Sequence, residues 1–156
     1  MSLLTELDAF YTHVAPLVGV LVGFLLAQGV EWRRRRRRRR AHWAALRAEL
    51  AFCKGLAETY RDADIGAPSY RLPSITYSHS LPALLGDGAV NESEAKALIE
   101  FFSEVETLNR GLDLAQAARE RGDTQAVAAE HGRNLLKIRR LVDFHRPARE
   151  AVDVHL

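Results

Sequence analysis

The chain has 156 residues, enough for one domain rather than several, and its single cysteine, Cys53, excludes an internal disulfide and any paired-cysteine metal or redox motif. The formal net charge of +2 conceals a local excess: Arg33 to Arg40 are eight consecutive arginines, while residues 41–156 carry 14 Lys and Arg against 17 Asp and Glu. A mildly acidic body argues against a nucleic-acid binder, whose basic charge covers a face of the domain.

Residues 1–8 read as a short N-terminal segment. Residues 9–30, "AFYTHVAPLVGVLVGFLLAQGV", hold no formally charged side chain and lie between Asp8 and Glu31. As a helix, such a stretch reaches ~33 Å, close to the ~30 Å hydrocarbon core of a bilayer. Thr12, His13 and Gln28 lie near its ends, Tyr11 and Trp32 stand about one bilayer apart, and Pro16 falls in its first turns. These features predict a transmembrane helix over residues 9–32. The segment ahead of it has no Lys or Arg and carries Glu6 and Asp8, unlike a cleaved signal peptide.

All the positive charge follows the apolar run. The expectation is therefore a single-pass protein of the bacterial inner (plasma) membrane, N-terminus outside and C-terminal domain cytoplasmic. Trp32 and the run Arg33, Arg34, Arg35, Arg36, Arg37, Arg38, Arg39 and Arg40 would then lie at the membrane surface, against anionic lipid headgroups. Ala15, Gly19, Gly23 and Ala27 recur every four residues, on one helix face with a GxxxG at its centre. Such a face lets two helices approach closely, so it predicts a homo-oligomer packed through these four residues. Leu17, Leu21 and Leu25 occupy the opposite face.

Residues 33–60 read as an arginine-rich juxtamembrane helix and stalk. Trp43, Leu46, Leu50, Cys53, Ala57 and Tyr60 alternate spacings of three and four, the seam of a heptad pattern. The seam fits either a coiled coil or a helix packed on its own domain. Residues 61–156 form the expected cytosolic α-helical domain. "RDADIGAPSYRLP", residues 61–73, is rich in turn formers, and residues 74–88 suggest one or two short helical turns interrupted by Pro82. Asn91 is placed to cap the next helix, with Glu92 and Glu94 in its first turn and an apolar stripe of Leu98, Phe101, Phe102, Val105, Leu108 and Leu112. That helix ends near Arg121-Gly122. Asp123 or Thr124 caps the last one, with Val127, Leu135, Ile138, Leu141 and Val142 expected inward, and Pro147 ends or kinks it. No stretch sustains period-two alternation. The fold class is therefore all-α: one N-terminal transmembrane helix continuing into a helical stalk and a small cytosolic helical bundle.

The six histidines form no HExxH or Cys-His pattern, so neither a metal nor a cofactor is expected. His131 and His145, fourteen residues apart on the stripe of the last helix, read as core histidines with a hydrogen-bond partner. Asn109 sits between Val105 and Leu112 on an inward face and must be hydrogen-bonded there. Arg133, Lys137 and Arg140 share a helix face, and with Arg71 in the hydroxyl-rich loop "SYRLPSITYSHS" they form a candidate anionic-ligand set. No GxSxG, phosphate-binding loop or other catalytic signature is present, so an enzyme is not expected.

An apolar helix, an arginine-rich stop and "HWAALRAELAFCKGLAETY", followed by "LPALLGDGAVNESEAKALIEFFSEVETLNRGLD", resemble small uncharacterised bacterial single-pass membrane proteins. The layout is also similar to that of CRISPR-associated membrane effectors. That resemblance implies a short membrane segment coupled to a cytosolic domain that binds cyclic oligoadenylate. The expected function is a non-enzymatic, membrane-anchored, oligomeric interaction or scaffold protein. The alternative is a ligand-gated membrane effector, for example in antiviral defence, whose cytosolic domain binds an anionic signal such as a cyclic nucleotide; a protein partner fits the scaffold reading.

Overall fold

The computed structural model describes the chain from Leu3 to Leu156, with side chains described from Leu17 onward. Among the described residues it forms four helices and no strand: α1 (Leu3–Asp62), α2 (Ile75–Gly86), α3 (Glu92–Glu120) and α4 (Thr124–Asp153). The chain divides into two units between Arg38 and Arg39, and each is taken separately below.

In the second unit the six seam residues of α1 are all buried, from Trp43 at 2% exposure to Tyr60 at 4%. They join one core with Leu81 and Leu84 of α2, the expected stripe of α3, and Ile138, Leu141, Ala148 and Val152 of α4. Of the two readings of the seam, packing on its own domain is the one the structure adopts. Aromatic contacts fill the centre: Tyr77 stacks on Phe102 with ring centroids 4.1 Å apart, and Phe101 meets Phe102 edge-on at 5.2 Å.

Local chemistry sets the helix ends. Asn91 opens α3 with a capping box: its side chain accepts from the Glu94 N–H, and Glu94 accepts from the Asn91 N–H, each at 2.9 Å. Asp123 caps α4 by accepting from the Ala126 N–H at 2.9 Å. Helices α2 and α3 end alike. Gly88 (φ 62) and Gly122 (φ 73) turn left-handed, so that the Ala89 N–H reaches the Leu84 carbonyl and the Asp123 N–H reaches that of Ala118. These are Schellman closures, which favour glycine because it has no Cβ to clash.

Helices α3 and α4 pack along each other. Their close approach is set by Gly111, where an added Cβ would overlap Asn134 Oδ1 and Lys137 Nζ.

Three expectations are corrected here. Pro82 does not interrupt α2, which runs as one helix over Ile75–Gly86; the proline is exposed and only its missing N–H is lost. Pro147 does not end α4, which continues to Asp153. The inner-membrane placement, single-pass with an outward N-terminus, is overturned: among the described residues no helix is long and apolar enough to cross a membrane. Of the expected span, the side chains of residues 9–16, with Tyr11, His13 and Pro16, lie outside the described ones, as do those of residues 1–8.

Candidate functional site: an uncovered apolar segment of α1

The first unit differs from the second in what its side chains meet. From Leu17 to Trp32 every residue is exposed, including Leu17 at 70%, Val20 at 72% and Leu26 at 66%. Of the four small residues, Gly19 and Gly23 have open space where a Cβ would stand, and Ala27 lies in a shallow groove with Phe24, Gln28, Glu31, Trp32 and Arg35. Ala15 lies outside the described side chains. An exposed apolar patch that is both contiguous and uncharged is the usual mark of an interaction surface.

The arginine run closes this segment. Arg35 Nε donates to Glu31 one helical turn back at 3.2 Å, and the Arg36 guanidinium lies over the Trp32 ring at 5.5 Å. Arg33, Arg34, Arg37, Arg38 and Arg40 are exposed. Arg39, the first residue of the second unit, donates to the Asp87 carboxylate at 3.0 Å and to the Asp87 carbonyl at 2.7 Å. One arginine of the eight thus anchors to the end of α2, a role its place in a uniform run did not show.

Three of the four residues of the candidate anionic-ligand set already have partners. Arg71 is spent on its own loop and on α3: its guanidinium donates to Asp113 Oδ1 at 2.6 Å, to the Pro68 carbonyl at 2.7 Å and to Gln116 Oε1 at 2.8 Å. Arg133 pairs with Glu130, Lys137 donates to Asn134 Oδ1 at 3.2 Å, and Arg140 is exposed. Asn109 answers the expectation fully. Its Oδ1 accepts from the Leu72 N–H at 2.9 Å and its Nδ2 donates to the Leu72 carbonyl at 2.8 Å, so one amide pins the loop after α1 to α3.

Two residues whose hydrogen bonds sequence reasoning missed complete that pinning. Glu49, 7% exposed, accepts from the Thr76 N–H at 3.0 Å and the Tyr77 N–H at 2.7 Å, serving as the N-terminal cap of α2 that Ser74 does not provide. A signal was present: Glu49 borders the seam residue Leu50, and neither Ala45 nor Cys53, one turn away, could pair with it. The second is Cys53, whose thiol donates to the Pro73 carbonyl at 3.2 Å. Burial, with a smaller contribution from Glu49, pushes its pKa up to about 12, which leaves it a packing residue and no nucleophile.

The two stripe histidines diverge. His131 Nε2 lies 2.7 Å from Asp64 Oδ1, while His145, 8% exposed, meets the Phe101 ring edge at 6.0 Å. A third, His155, stacks on Trp43 at 4.2 Å and lies 3.0 Å from Glu94, tying the end of α4 to α1 and α3. Among the described residues no group of His, Cys, Asp or Glu is arranged to hold a metal ion.

Fold and site together define an all-α chain that carries a folded helical unit and an uncovered apolar helical segment. Compared with known proteins, the chain matches no family model, no curated protein and no solved structure.

Proposed function

We propose that this protein is a non-enzymatic interaction module that self-associates through the apolar segment of α1. The observation that carries the reading is the uninterrupted exposure of Leu17–Val30 beside open space at Gly19 and Gly23. Water disfavours that much continuous apolar surface, so a partner that covers it is stabilising. A second copy is the fitting partner. It brings an apolar stretch of equal length, and a stripe of small residues at four-residue spacing is complementary to itself about a two-fold axis. Gly19 and Gly23 then allow the two backbones close approach, while Leu17, Leu21 and Leu25 lie on the far face.

Single cysteines test the face directly. Cys53 does not interfere, since its thiol is buried with its pKa near 12. Under mild oxidation, Gly23→Cys should give a disulfide-linked dimer and Leu21→Cys little. Equal crosslinking at both positions, or none at either, would remove the proposed face.

A further inference from the structure

The second unit holds a polar cleft that self-association does not use. Arg47, Lys54 and Glu58 of α1 and His145 and Arg149 of α4 line it, with Ala51 and Gly55 as its floor and a volume of about 290 Å³. The floor is open because these two α1 residues, one turn apart, are small; a Cβ added at Gly55 would meet nothing within 4 Å. A phosphate group with a few attached atoms fits that volume.

Its charges are unbalanced. Asp153 is shared between two arginines: Arg47 Nε lies 2.9 Å from Oδ1 and Arg149 Nε 3.1 Å from Oδ2. Lys54 Nζ lies 3.2 Å from Glu58 Oε1. Three cationic side chains therefore face two carboxylates. Both arginines meet Asp153 through Nε and not through the terminal edge of the guanidinium, the edge that recognises oxyanions in a planar fork. His145 completes the wall with its ring against Phe101. Burial first, then Lys54 and Arg149, hold its pKa below the ordinary value of 6.5, against the smaller opposing pull of Glu58 and Asp153. At neutral pH it is therefore an uncharged imidazole with one N–H to donate.

From this we infer that the cleft between α1 and α4 binds a small phosphate-bearing dianion, gripped by Arg47, Lys54 and Arg149 and hydrogen-bonded by His145. This site differs from the set built on Arg71, Arg133, Lys137 and Arg140, and it stands or falls independently of self-association.

The test is a titration of the full chain with inorganic phosphate, and separately with a phosphomonoester, followed through the His145 imidazole resonances. Ionic strength is held constant with chloride. The expected result is a saturable shift of His145 and a rise in its pKa, since the dianion favours imidazolium. Arg149→Gln should weaken binding about tenfold, the loss expected for a charge-assisted hydrogen bond. Arg140→Gln should change nothing. If Arg149→Gln loses helicity, Lys54→Gln supplies the same reading from a half-buried position. An equal shift with chloride alone, no shift with phosphate, or a shift only with vesicles carrying phosphomonoester lipid would each overturn the inference.

Discussion

Two stretches of one helix, α1, show how apolar spacing decides what a helix does. Residues 43–60 place their large apolar side chains three and four apart, and all six seam residues are buried in the core of the same chain. Residues 17–30 are apolar on every side, and all of them are exposed. A seam one stripe wide can be satisfied by a single neighbouring surface. A helix that is apolar all round cannot, which is why we propose that its cover comes from a second copy of the chain. The arginine run lies between the two patterns, and within it Arg39 already belongs to the second through its bonds to Asp87.

The sharpest way to break this comparison is to truncate matched leucines. Leu50→Ala should destabilise the folded unit by about 3 to 4 kcal/mol, since it empties a core position. Leu21→Ala should leave that stability unchanged, because Leu21 is 58% exposed. Urea unfolding followed by far-ultraviolet circular dichroism reads both, and similar losses would erase the distinction. Next in size is Glu49→Ala, expected to cost about 3 kcal/mol by leaving two α2 N–H groups without an acceptor. Glu49→Gln should recover part of that, because its amide oxygen still accepts one bond. Asn109→Leu follows at about 2 kcal/mol, from the buried N–H and carbonyl of Leu72 that it strands. Unchanged stability in either would show that the loop after α1 is held by something else.

The smallest effect is a pH dependence. His145 resists protonation in the folded chain, with Lys54, Glu58, Arg149 and Asp153 around it, whereas an unfolded chain takes up the proton near the ordinary value of 6.5. The unfolded state therefore binds more protons below that value, and stability declines as pH falls through it until the folded-state pKa is passed. His145→Leu should flatten that part of the stability profile as pH falls below the ordinary imidazole value of 6.5. An identical slope in the variant would assign the acid sensitivity to other groups.

Much of the second unit was legible because its rules are local. The stripe of α3, the Asn91 cap and the glycine stop at Gly122 follow from residues within a turn or two of one another, and the place of Asn109 on an inward face follows from its own helix, though its partner Leu72 does not. Pro82 did not interrupt its helix and Pro147 did not end its own, because tertiary packing of the faces beside these exposed prolines offsets the lost hydrogen bond and the ring's crowding of the preceding turn. The sequence showed Glu49 beside the seam without a partner on its own helix, but neither its α2 donors nor the Asp153-centred cleft was legible, since they join residues 27 to more than 100 positions apart and depend on which faces of α1, α2 and α4 meet. In the first unit, composition fixed the apolar character and the small-residue spacing, but the assignment to a membrane span asked more of that composition than the described helix supports.

The central claim is that the apolar segment of α1 is covered by a second copy through Gly19 and Gly23. Sedimentation velocity of the full chain against the Gly19→Ile/Gly23→Ile variant, in matched buffer, tests it most directly. The account predicts an associated wild type and a variant shifted to monomer, with unchanged helical content and folding stability. A variant that sediments as the wild type does would contradict it.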